Sequence, residues 1–220
     1  DENMKYFAGV GKSSRVPDAR ELYDATAGNS NLDQTKNYEA DLGFDKTIGT
    51  FNIRPKLFYS VLKDYIYNSG TFGNIDAKIY GLDVSGFYFM TDDLSLDYGI
   101  AYQRGKKDEN VADKDLAEIP PLKANLALNY EQAKAKYTAE VVAVDRWDSY
   151  DISAKEQELS GYALFNLKYT NQLHKNIGLT LGLDNVFDKV YNSTNTYQDV
   201  RYATVSSERV LFNDPGRYGY

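Results

Sequence analysis

Cysteine is absent from the 220 residues, which rules out disulfides and thiolate metal sites within this chain. No run of about 18 apolar residues occurs, so there is no candidate transmembrane helix. The opening DENMKYFAGV carries neither a basic start nor an apolar stretch of signal-peptide length. Either the protein is not exported, or its natural N-terminus lies elsewhere. Positive charge is in deficit too: a formal net charge of −7 and a pI near 4.8 argue against a general nucleic-acid binder. Tryptophan and histidine occur once each. No catalytic triad, glycine-rich phosphate loop or His–acid metal cluster is visible, so an enzyme, a bound cofactor and a metal centre are not expected.

What the chain does have is tyrosine, 20 times, and alternation. Tyrosine suits strands, and it suits membrane interfaces, where the ring meets lipid and the hydroxyl stays wet. In LSLDYGIAYQ (94–103), Leu94, Leu96, Tyr98, Ile100 and Tyr102 fall on one face of a strand, and Asp97, Gly99, Ala101 and Gln103 on the other. The same pattern recurs over 4–11, 38–45, 51–61, 80–90, 122–130, 136–143, 163–169 and 177–184, which with 94–103 makes nine strands. Many run eight to twelve residues. Soluble strands are usually about 5–6 residues long, whereas a tilted bilayer-spanning strand needs about 9–11. No segment shows sustained helical periodicity. A mean hydropathy of −0.56 is compatible with either setting, because alternation dilutes apolar residues with polar ones.

Connections alternate in length. Short turns are expected at 46–50, 91–93, 131–134 and 171–176, and long polar connections at 13–36, about 67–77, 104–121, 145–161 and 187–215. With antiparallel strands, every short turn then lies at one end and every long loop at the other. Outer-membrane barrels have that asymmetry, with short periplasmic turns and long extracellular loops. A soluble all-β domain remains the alternative. The expectation is an all-β, antiparallel up-and-down transmembrane β-barrel wall whose apolar face looks out to lipid.

Five stretches resemble the C-terminal part of TonB-dependent outer-membrane receptors, in the right order: FAGVGKSSRVPDARELY (7–23), NLDQTKNYEADLGF (31–44), IPPLKANLALNYE (119–131), GLDNVFDKVY (182–191) and NDPGRYGY (213–220). Such barrels have about 22 strands around a plugged lumen. The resemblance therefore implies about ten C-terminal strands over 1–220, with the plug domain and earlier strands absent. SRVPDARELY, GNIDAKIYGLDVSG (73–86) and IPPLKANLALNYE look nearest to the copper-receptor subgroup, and siderophore receptors are similar. What the resemblance implies is an outer-membrane receptor that imports a scarce metal complex, a ferric siderophore or copper. Its energy would come from the TonB complex, acting through a plug domain outside this chain. A passive porin and a soluble β-rich binding domain are the other readings.

Candidate ligand contacts are aromatic and basic residues of the long connections: Tyr67, Phe72, Arg146, Trp147, Tyr150, Tyr197, Arg201 and Tyr202. Aromatic faces and guanidinium groups suit planar, anionic metal chelates; girdle or inter-loop packing is the plainer account of each. Arg15 and Asp18 are candidates for a loop clamp, or else solvated charges at a loop mouth. Asp184, Asn185 and Asp188 offer oxygen ligands, although turn formation explains them more simply. KKDENVADKDLAE (106–118) reads as a solvated loop, and His174 as an exposed turn residue. Copper prefers thioether and imidazole donors, and neither Met4, Met90 nor His174 is convincingly placed to supply them.

Overall fold

Period-two alternation becomes ten antiparallel strands paired in chain order, in a computed structural model that describes residues 4–109, 111–195 and 210–220. They are β1 (Met4–Arg15), β2 (Thr35–Ile48), β3 (Phe51–Asn68), β4 (Phe72–Phe89), β5 (Leu94–Lys107), β6 (Lys123–Gln132), β7 (Ala135–Val144), β8 (Tyr162–His174), β9 (Ile177–Asp184) and β10 (Tyr218–Gly219). The sheet is all up-and-down. β1 and β10 pair only with β2 and β9, so each leaves one edge unpaired among the described residues.

The apolar face is the bare one. Leu42, Leu57, Leu126 and Leu181 stay 48–58% exposed, values that a dry core would not allow. Aromatic residues line up across the strands toward the short turns, as Phe51 beside Tyr88 and Tyr130 beside Tyr137 beside Tyr169. A second belt, Tyr38, Tyr59, Tyr80 and Tyr102, marks the other boundary. From Tyr80 to Tyr88 the chain climbs eight residues of β4, roughly 20 Å at a tilt near 40°. That is close to the height of about 25 Å of a lipid-facing band.

The opposite face is a polar ladder. Arg54 pairs with Asp45 at 2.6 Å and Lys56 with Asp41 at 2.8 Å. Ser60 donates to Glu39 at 2.7 Å, Asn129 to Asp97 at 2.8 Å and Asn166 to Glu140 at 2.9 Å. Cross-strand bonding of this kind fixes register, because a slip of one residue would send each polar group into the apolar face.

Short turns join β2 to β3, β4 to β5, β6 to β7 and β8 to β9, all at one end of the sheet. Three expectations need correction. The connection placed at about 67–77 is mostly strand: β3 and β4 each reach 18 residues and meet in the turn 69–71. The cause is a bulge between Leu62 and Tyr65, where Asp64 takes φ +54° and the alternation changes phase. The loop after β1 contains a five-residue helix, α1 (Ala19–Tyr23), too short to show periodicity. The charge run 106–118 is solvated only in part: Asp108, Glu109 and Lys114 are exposed, while Lys107 and Leu116 are buried, Leu116 at 1% against Leu62 and Ala77.

Candidate functional site

The long-loop end is where the chain builds something other than wall. Up to Leu62 the inward residues of β3 are even-numbered; after the bulge, Tyr65 and Tyr67 pair with Ile75 and Gly73, on the inward face of β4. Inward residues of β5 run from Asp97 through Gln103 and Gly105 to Lys107. Against this surface the chain lays two loops, 108–122 and 145–161.

Leu116 donates its N–H to Gly105 at 3.1 Å, and Lys107 donates to Lys114 at 2.8 Å, so the first loop adds to the edge of β5. Trp147 and Leu159 exchange backbone bonds and close the second loop into a miniature ladder. One buried cluster then pins both loops. The Lys107 ammonium contacts Asp151 at 2.9 Å and Asp113 at 3.6 Å, while lying 5.1 Å from the centre of the Tyr67 ring. The Tyr67 hydroxyl donates to the second Asp151 oxygen at 2.8 Å. Burial, then that carboxylate, pushes the Tyr67 phenol far up. Glu156 accepts from the backbone N–H groups of Glu118 at 2.7 Å and Asp151 at 2.8 Å, and burial raises its carboxyl above the usual range.

Under this roof lies a pocket of about 480 Å³, lined among others by Tyr65, Tyr67, Phe72, Glu118, Ser153 and Lys155. That size suits a small organic ligand. A tighter cleft of about 60 Å³ runs between Pro120, Pro121, Arg104, Arg146 and Trp147. The Trp147 indole is 5% exposed, and its N–H finds no acceptor among the described residues. A buried donor left open is costly unless a water or a ligand completes it.

Of the residues singled out in the sequence, Tyr67 and Phe72 share the larger pocket, and Arg146 and Trp147 share the cleft. Arg146 is exposed and leans toward Asp148 and Glu158 at 3.7 and 3.5 Å. Tyr150 is half-buried and lines neither. Tyr197, Arg201 and Tyr202 lie outside the described residues. The Arg15 clamp exists with a different partner. Arg15 grips Glu21 through two bonds of 2.9 and 2.7 Å, while Asp18 caps α1 by accepting from the Glu21 N–H. That grip holds the Glu21 carboxyl below its ordinary range.

Asn185 is 3% exposed and binds the backbone N–H and C=O of Lys189, and Asp188 accepts from the Arg217 N–H. These groups form a corner between β9 and the returning chain. Met4, Met90 and His174 all sit at the short-turn end, opposite the pocket. Residues missed in the sequence are Lys107, Asp151 and Glu156. Lys107 had a signal, since it shares the parity of Asp97 and Gln103; the loop carboxylates had none.

A family model described as "TonB dependent receptor-like, beta-barrel" matches residues 1–186. The chain belongs to that family. Members of the family are outer-membrane β-barrel proteins. A vitamin B12 transporter, BtuB of Photobacterium profundum, is 26% identical over 208 residues, which is 88% of this chain and 33% of the relative. Among solved structures, the copper transporter OprC superposes with a TM-score of 0.85 at 24% identity, covering 99% of this chain and 36% of that one. A ferric enterobactin receptor of Pseudomonas aeruginosa, in complex with enterobactin, gives 0.76 at 19% identity, covering 99% and 38%. These likenesses establish the fold. The chain spans about a third of the length of the relatives it matches. Their names are those of transporters and receptors, not of enzymes.

Proposed function

We propose that this chain is the C-terminal part of the wall of an active-transport receptor. In this reading the long loops are extracellular and the short turns periplasmic. The receptor imports a scarce metal complex on energy delivered by the TonB complex, through a plug domain carried elsewhere in the whole protein. The observation that supports it most is the aromatic pocket built from Tyr65, Tyr67 and Phe72 under two inward-folded loops. A pore lined only for passage has no need of a roofed aromatic recess. Lys155 adds a donor for an anionic or carbonyl-rich cargo.

The aromatic lining of the pocket favours an organic metal complex, a ferric siderophore first, with copper the other cargo of this reading. Every thioether and imidazole of the described residues lies at the far end from the pocket. Ferric siderophores fit this description, and so does vitamin B12, the cargo named for the BtuB relative.

The test is growth of a deletion strain rescued by the full-length protein on defined ferric siderophores, vitamin B12 or copper salts, with uptake measured before and after an uncoupler. Uptake of one complex that stops with the uncoupler supports the reading. Rescue by many small solutes with steady bilayer conductance would show a passive porin instead.

A further inference from the structure

Tyr67 belongs to two structures at once. Its ring is part of the pocket wall, beside Tyr65 and Phe72. Its hydroxyl donates to Asp151 at 2.8 Å, inside the cluster that holds the loops. Among the described residues, no other ring of the pocket bonds to that cluster.

The cluster ties many groups to few. Asp151, fully buried, takes the Tyr67 hydroxyl on one carboxylate oxygen and the Lys107 ammonium on the other, at 2.9 Å. That second oxygen also accepts from the Ala154 N–H at 3.1 Å, which closes the turn that follows it. The loops hold one another as well. Asp113 of loop 108–122 accepts from the Ser153 N–H at 3.0 Å, and Glu156 accepts from the Glu118 N–H at 2.7 Å. Glu118 and Ser153 line the pocket, as Tyr67 does.

Loop 145–161 therefore cannot lift without drawing Asp151 off the Tyr67 hydroxyl, which leaves buried polar groups unpaired. A tyrosine freed of that bond can turn to other rotamers, and its ring then loses its fixed place in the wall. A ligand stacked on the ring removes the same freedom from the other side. Two events that each restrict one side chain favour one another, and the coupling is reciprocal.

We propose that Tyr67 couples the pocket to the loops: an aromatic ligand against its ring tightens loop 145–161 through the bond to Asp151, and the closed loop holds the ring ready for the ligand. This rests on the reading of the pocket as the seat of the cargo, whose regulation it names. Tyr67 is a positioning residue in it, because phenylalanine would keep the ring and lose the link.

The experiment fills the pocket without the natural cargo. This chain has no cysteine, so Ala117→Cys gives it a single thiol, on the pocket wall. A naphthyl maleimide is attached there in the full-length protein, and hydrogen exchange is read with and without the label. Loop 145–161 should exchange about tenfold more slowly once labelled, an ordinary strength for coupled sites. Helix α1, held by Arg15 and Glu21 instead, should not respond. Adding Tyr67→Phe should abolish the slowing, with unchanged protection of the strand amides as the sign of an intact fold. Adding Asp151→Asn keeps an acceptor for the hydroxyl, so the loop should loosen yet still answer the label. No slowing in the labelled parent overturns the proposal, and so does equal slowing with and without the Tyr67 hydroxyl. Coupling without any chelate uptake removes the transport reading alone. Uptake without coupling removes this inference alone.

Discussion

Lys107 and Asp151 meet at 2.9 Å although 44 residues separate them, and their side chains keep 4% and 0% of their surface exposed. This pair ties the end of β5 to the loop 145–161. Removing one member of a buried ion pair costs about 3–5 kcal/mol, because the other charge is left uncompensated. Lys107→Met should therefore release that loop without melting the sheet. Limited proteolysis would show new cleavage within 145–161 while strand amides keep their hydrogen-exchange protection. Cleavage unchanged from wild type would show that the pair does not hold the loop.

The two loops should answer acid with opposite signs. Glu21 is held below its ordinary value of 4.5, by its bond to Arg15 first. Its contribution is present above that value and disappears as the pH falls through the lowered native one. Glu156 is raised above 4.5, by burial first. Its contribution is complete below 4.5 and fades as the pH climbs through the raised native value. Hydrogen exchange at stepwise pH should thus show loop 145–161 tightening on mild acidification and α1 loosening only below about 4.5. Glu156→Gln should flatten the first response.

Across the short-turn end, the Tyr98 ring lies over Gly86 and its hydroxyl donates to the Asn52 carbonyl at 2.8 Å, stitching β3, β4 and β5 together. A Cβ on Gly86 would collide with both that carbonyl oxygen and the hydroxyl. Gly86→Ala should cost about 1–3 kcal/mol by overpacking, against about 0.5–1.5 for Tyr98→Phe, which loses only the bond. Unfolding of the full-length protein from vesicles by urea gives both numbers. A Gly86→Ala variant as stable as wild type would contradict the contact.

Leu126 on β6 and Thr180 on β9 test the sidedness of the wall. Leu126 faces the apolar side at 48% exposure, four residues along the strand from Tyr130 of the aromatic row, and Thr180 faces the polar ladder. Leu126→Arg should cost about 2–4 kcal/mol near mid-bilayer, and Thr180→Arg should stay within about 0.5 kcal/mol as a wet surface change. Folded yield in vesicles compares them. Equal penalties would remove the lipid from the argument.

Strand faces and short turns were legible because period two leaves a trace in every residue from Leu94 to Gln103. The bulge at Asp64 was not, since a single inserted residue turns inside to outside without altering composition. Lys107 falls into a charged loop when the alternation is followed only to Gln103; continued four residues further, it places the ammonium inward. The Arg15 clamp was half legible. Asp18 and Glu21 stand at capping-box spacing, and that spacing would have given Glu21, not Asp18, as the carboxylate free to meet the guanidinium. The pairing of Asp151 with Lys107 depends on how a loop folds back, which no local pattern encodes.

Because the β3–β4 hairpin runs on beyond the last residue of β5, sequence length and physical reach part company here. Anything arriving from the water at that end would meet Ser69, Gly70 and Thr71, all exposed. Asn68 and Gly70 also line the larger pocket, so a change at the hairpin tip would alter the outward surface and the pocket wall together.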